Sequence, residues 1–142
     1  MITIVARFDA QGRLGRTRRR RLRAVEKAVA DTVACAADDV RAAAQARLSV
    51  PALDGRPSAP GEAPHRLSGR LRNSVRMVMH SRTGDPAAEI GTDLAYGLYL
   101  ELGTRRIAPR PWLSPAFATV APGVARRMAD AVRRALSPGR RT

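Results

Sequence analysis

Catalysis and metal binding need reactive side chains at workable spacing, and this 142-residue chain carries few of them. Its histidines are His65, in a proline-rich stretch, and His80, at the end of an alternating segment; Cys35 is its one cysteine. With no H-x-x-x-H or C-x-x-C spacing, no metal site is expected. Neither G-x-x-x-x-G-K-[ST] nor G-x-G-x-x-G occurs, so no nucleotide cofactor is expected either. The acids Glu89, Asp93 and Glu101 lie close enough in sequence to converge, yet paired carboxylates on a basic protein more often neutralise arginines. The sharpest enzymatic alternative is a small basic ribonuclease using His65 with arginines, and it lacks a second positioned acid or base. The expectation is therefore a protein without catalytic residues, cofactor or metal.

The chemistry the chain does carry is cationic. Lys and Arg number 26 against 12 Asp and Glu, for a net charge of +14, and all but one of the cations are Arg. Arg16, Arg18, Arg19, Arg20, Arg21 and Arg23 crowd into eight residues. Charge repulsion and the positive end of a helix dipole both disfavour this run in isolation, so an acidic partner is expected nearby. DNA phosphates, whose binding releases counterions, are one candidate; carboxylates of an adjacent subunit are the other. No aromatic residues interleave the run and no helix-turn-helix or zinc spacing accompanies it, so contact with nucleic acid would be independent of base sequence.

The elements that position these residues follow from patterning. Apolar residues make up 44% of the chain but aromatics only 4%, which calls for a core of Ala, Val and Leu. The β-branched run at 2–8 predicts a strand, closed by turn chemistry at 9–12. Between 17 and 49 no Pro or Gly interrupts Leu22, Val25, Val29, Val33, Ala36, Val40 and Ala43, which recur at helical steps. One long amphipathic helix is expected, with Arg23, Lys27, Asp31, Asp38 and Arg41 on its solvated face and Cys35 as a small buried hydrophobe. Residues 51–64, with four prolines and two glycines, form an extended loop. The alternation Val75, Met77, Met79 predicts a half-buried strand that pairs with 87–92 in an antiparallel hairpin. Residues 95–102 form a short helix ended by Gly103, and 105–111 are extended because each proline pushes its predecessor out of the α region. A last helix starts at 111–114 and runs to about 136, with Phe117, Val120, Val124, Met128, Ala131, Val132 and Ala135 on one face and a kink site at Pro122-Gly123. Residues 137–142 are a basic tail.

These elements sum to one domain, 1–142, of α+β class: a small antiparallel sheet packed by a long N-terminal helix and a C-terminal helix. No apolar run approaches the roughly 20 residues that span a bilayer, and the N-terminus lacks a signal-peptide pattern, so a protein assembled in the cytoplasm without membrane contact is expected.

Two stretches are more specific. Leu67-Ser68-Gly69-Arg70-Leu71-Arg72-Asn73-Ser74-Val75 leads into the hairpin. Ile90-Gly91-Thr92-Asp93-Leu94-Ala95-Tyr96-Gly97-Leu98-Tyr99-Leu100-Glu101-Leu102-Gly103-Thr104-Arg105 follows it, and then Ala108-Pro109-Arg110-Pro111-Trp112-Leu113-Ser114-Pro115-Ala116 opens the last helix. In order and spacing they resemble the small neck and minor tail proteins of long-tailed double-stranded DNA phages, the tail-completion or head–tail joining family. That pattern is a Gly-Arg-Leu-x-x-Ser entry, an Ala-x-Tyr-x-x-Tyr-x-Glu-x-Gly-Thr centre and an Arg-Pro-aromatic-Leu-x-Pro-Ala helix start. The likeness covers roughly 67–118. The Arg-dense first helix and the long proline-rich loop depart from it.

The resemblance implies a structural, non-enzymatic protein of a phage or phage-like particle such as a gene transfer agent. It implies a homo-oligomeric ring, sixfold, at the head–tail junction, as tail-completion protein, terminator or connector beside neighbouring neck and tail-tube proteins. Residues assigned to the joint between subunits are Arg70, Arg72, Tyr96, Tyr99, Glu101, Arg105, Arg106, Arg110 and Trp112. Glu101 is expected within reach of Arg105 or Arg106, and Trp112 as a wedge against the sheet. The alternative is a sequence-independent DNA-binding protein that grips phosphate through Arg16, Arg18, Arg19, Arg20, Arg21 and Arg23.

Overall fold

The structure, a computed structural model, describes residues 2–5, 16–82 and 85–137. The longest run free of Pro and Gly becomes its longest element, α1 (Arg16–Arg47). Val25, Val29, Val33, Ala36, Ala37, Val40 and Ala44 are buried along it, a stripe at three- and four-residue steps that continues to Leu48 just past its end. That stripe faces a three-stranded antiparallel sheet of order β1-β3-β2, built from β1 (Ile2–Val5), β2 (Arg76–Arg82) and β3 (Asp85–Gly91). Residues 6–12, 83–84 and 138–142, which carry the end of the expected first strand and its turn, the hairpin tip and most of the basic tail, lie outside the described residues.

Register decides which side chains of the sheet reach α1. Met77 pairs with Ile90 and Met79 with Ala88, on the face where Ala88 and Ile90 are buried. Val78, His80 and Glu89 take the opposite face, as a period of two requires. The expected alternation of Val75, Met77 and Met79 is present, and its burial fades from Val75 toward the hairpin tip.

The remaining helices are α2 (Arg70–Ser74), α3 (Ala95–Leu102) and α4 (Ser114–Leu136), with a 3-10 turn at Leu53–Gly55 inside the proline-rich loop. The five-residue α2 is a helix where patterning indicated only an entry into the strand. The α4 helix runs unbroken through Pro122 and Gly123. It packs along α1, and the Arg127–Asp39 ion pair together with the approach of Ala131 and Ala135 to Ala24 and Ala28 sets the two antiparallel. The α+β architecture is the expected one, with α1 shared between sheet and α4. The core is mostly Val and Ala, closed by Ile90, Leu113 and Trp112.

Cys35 corrects one expectation, since it is exposed. It sits two residues from the fully buried Val33, about 200° around the helix, and so faces the groove between α1 and α4.

Candidate functional site

Of the residues assigned to a joint between subunits, two are taken by the protomer's own interior. Trp112 is 2% exposed, and its indole Nε1 donates to the Gly97 carbonyl at 3.0 Å. It wedges against α3 rather than offering its ring to a neighbour, which corrects its assignment. The close approach explains Gly97: a Cβ there would meet Thr92 Cγ2 at 2.6 Å and Leu71 Cδ1 at 3.0 Å.

Glu101 is the second correction. Its carboxylate accepts from the backbone N–H groups of Trp112, Leu113 and Ser114 at 2.7–2.8 Å and from the Ser114 hydroxyl at 2.5 Å. It therefore caps the N-terminus of α4, whose unpaired donors and positive dipole end favour an anion, and does not pair with Arg105 or Arg106. Burial alone would raise its pKa; the bonds from Leu113, the Ser114 hydroxyl, Trp112 and the Ser114 amide outweigh that and lower it. The other two acids of that stretch find separate partners: Glu89 meets His80 at 3.1 Å, and Asp93 neutralises Arg76.

The Gly-Arg-Leu-Arg-x-Ser entry also has internal work. Leu71 is buried against α3, and Ser74 Oγ shares a 2.6 Å hydrogen bond with Thr92 Oγ1, which accepts in turn from the Leu94 N–H. The motif thus clamps α2 to the start of α3.

A built turn follows α3. Gly103 adopts φ +73°, and a Cβ there would stand 2.9 Å from the Ile107 carbonyl and 3.0 Å from Pro109. Thr104 exchanges backbone hydrogen bonds with Ile107, and its hydroxyl accepts from the N–H groups of Arg106 and Ile107. Arg105 and Arg106 are held at the tip, exposed. Among the described residues neither guanidinium has an ion-pair partner.

The outward side of α3 is apolar. Leu98 is 52%, Tyr99 50% and Leu102 70% exposed, at i, i+1 and i+4 on one face of the helix. Ile107, in the turn, is exposed beyond them.

The other side of α3 faces a cavity. Tyr96, Arg70, Arg72 and Arg110 line it together with the proline-rich loop. Arg110, assigned to the joint between subunits, is tied into its own protomer: its N–H donates to the Leu100 carbonyl, and its Nε donates to the Ser58 carbonyl at 3.0 Å. The Gly61 N–H donates to the Pro109 carbonyl, which docks the loop a second time. Arg56 and Arg66 reach the same wall, unforeseen from the sequence because a parallel bridge between Pro51 and Arg66 folds the loop back. His65 stands there too, its Nδ1 3.3 Å from the Arg56 carbonyl. Among the described residues no three His, Cys, Asp or Glu side chains gather as a metal site requires.

Arg18, Arg19, Arg20, Arg21 and Arg23 are exposed, and no acidic residue lies in the first turn of α1. Val25 is the first buried residue of that helix among those described, so the arginine run extends past the core. The antiparallel packing brings Arg133 and Arg134, in the last turn of α4, to the same end. The Arg16 side chain lies outside what the structure describes. No described helix is long and apolar enough to cross a membrane. Comparison with protein families, with curated proteins and with solved structures finds no match to this chain.

Proposed function

We propose that this chain is a structural protein of a phage or phage-like particle, forming a homo-oligomeric ring at the head–tail junction as a completion, terminator or connector protein. The observation that carries the reading is the outward face of α3. The segment that resembles the neck and minor tail proteins spends its small and polar positions on internal fit, at Gly97, Thr92 and Glu101, and leaves Leu98, Tyr99 and Leu102 in solvent. A contiguous apolar stripe on a strongly charged protein marks a contact surface. Arg105, Arg106 and Ile107 rim it.

The available charges shape the joint. Asp31, Asp38, Asp39, Asp93 and Asp130 pair with cations of their own protomer, Glu89 faces His80 and Glu101 caps α4. Most of the described carboxylates are thus engaged within the protomer, so apolar burial drives association between copies, and Arg105 and Arg106 are left for an acidic neighbour above or below the ring.

Electron microscopy and sedimentation of the purified chain test this. The expected result is closed rings whose population rises with salt as repulsion between +14 protomers is screened, with Leu98→Ser and Leu102→Ser together giving folded monomers. Chains that stay monomeric at every concentration and salt, or the double variant assembling like wild type, overturn it. A second reading, sequence-independent DNA binding, is favoured by the exposed arginine pole at the start of α1.

A further inference from the structure

The cavity between the proline-rich loop, α2 and α3 has a volume of about 500 Å³, within the range of small-molecule sites. Arg56, Arg66, Arg70, Arg72 and Arg110 line it, and among the described side chains no carboxylate does. Tyr96, Leu71 and Leu100 supply an apolar wall.

Two of its lining residues carry a buried polar atom without a partner. Ser58 is 3% exposed, and its hydroxyl makes no hydrogen bond; the buried Nε of Arg72 makes none either. Buried donors are nearly always satisfied, and leaving one unpaired costs stability. Of the three such orphans among the described residues, these two belong to residues that line the cavity, and the third, Arg47 Nε, does not. The loop that carries Ser58 is fastened by Arg110 Nε to the Ser58 carbonyl and by the Gly61 N–H to Pro109, so its backbone is held in place before any ligand arrives.

We infer that this cavity binds a small organic anion, a phosphate or carboxylate carried on an apolar or aromatic body. The anionic oxygens accept from the arginine forks and from the Ser58 hydroxyl, and the body packs on Tyr96, Leu71 and Leu100. The site is independent of ring formation and is tested on the isolated chain.

Titration calorimetry with phenyl phosphate, benzoate, inorganic phosphate and benzyl alcohol separates the contributions. Saturable one-to-one binding is expected for at least one of the two aromatic anions, and the tighter of them identifies phosphate or carboxylate as the head group. Bare phosphate binds about tenfold more weakly or worse, because it forfeits the apolar wall, and benzyl alcohol does not saturate the site. Arg56→Gln with Arg70→Gln, both exposed residues, weakens the anion roughly tenfold or more. Arg105→Gln with Arg106→Gln, an equal loss of charge outside the cavity, leaves it unchanged. Ser58→Ala raises the Tm of the free protein by removing an unpaired hydroxyl and weakens binding several-fold, a combination that a purely structural serine would not produce. Absence of saturation by either aromatic anion, equal binding of bare phosphate, equal losses in the two arginine pairs, or unchanged affinity in Ser58→Ala would overturn the inference.

Discussion

At the scale of single residues, one carboxylate organises the motif region. Glu101 collects three backbone donors and a hydroxyl at the start of α4, and the net of these contacts is a lowered pKa. A group whose folded-state pKa is depressed adds stability above its ordinary value and loses it as pH falls through the lowered one. Glu101→Gln keeps an acceptor oxygen but loses the charge facing the helix dipole. Because the carboxylate is partly exposed and screened, the cost near neutral pH is about 1 kcal/mol. Wild type and variant compared by thermal melting should differ most above the ordinary glutamate value of about 4.3 and converge as acid protonates the wild-type group. A gap that stays constant from pH 7 to pH 3 would refute the capping role. The same residue shows what local reading of a sequence misses. The donors lie eleven to thirteen residues downstream, far outside the three-residue spacing of a capping box, so pairing with the nearby Arg105 was the natural expectation.

At the scale of elements, α3 is positioned by the contacts under Gly97. Thr92 cannot give way there without cost, because its hydroxyl bonds Ser74 and the Leu94 N–H, and Leu71 on the other side is part of the core. Gly97→Ala gains helix propensity worth up to about 1 kcal/mol, while overpacking costs about 1–3 kcal/mol. The net is destabilising, by roughly 1–2 kcal/mol, and reads as a Tm lower by a few degrees with the Trp112 environment altered in fluorescence. A variant as stable as wild type would show that α3 shifts freely. The helices α1, α3 and α4 and the hairpin were legible because period and punctuation repeat over many residues. The helix α2 was not, since five residues are too few to show a period, and Ser68 and Gly69 before it are also ordinary loop residues. Cys35 was misplaced because its neighbours Ala34, Ala36 and Ala37 are uniformly small, so the period had to be taken from the valines. The cavity was half legible: Arg70, Arg72, Tyr96 and Arg110 belonged to the motifs, whereas Arg56, Arg66 and Ser58 arrive only through the fold of the loop.

At the scale of the whole molecule, charge is distributed by function of surface. Ion pairs line the body of α1 and α4, at Lys27–Asp31, Arg41–Asp38, Arg127–Asp39 and Arg133–Asp130, where exposed pairs contribute little each but keep the helical faces near neutrality. The +14 net charge is therefore concentrated elsewhere, at the α1 pole, around the cavity and on the Arg105-Arg106 turn. Of these, the pole is best placed to meet a phosphate backbone, because Arg18, Arg20, Arg21 and Arg23 are exposed and precede Val25, the first buried residue of α1 among those described. Binding of duplex DNA through it should release about one counterion per phosphate engaged. Four arginines in contact give a slope of log K against log salt near −3.6. Arg18→Gln, Arg20→Gln, Arg21→Gln and Arg23→Gln together should flatten that slope by about 3.6 units and leave the melting transition in place, since among the described residues no buried side chain precedes Val25. The comparison with Arg105→Gln, Arg106→Gln then assigns the contact: equal flattening by both sets would make DNA binding a property of net charge alone, and a slope near zero in wild type would leave the pole to an acidic protein partner.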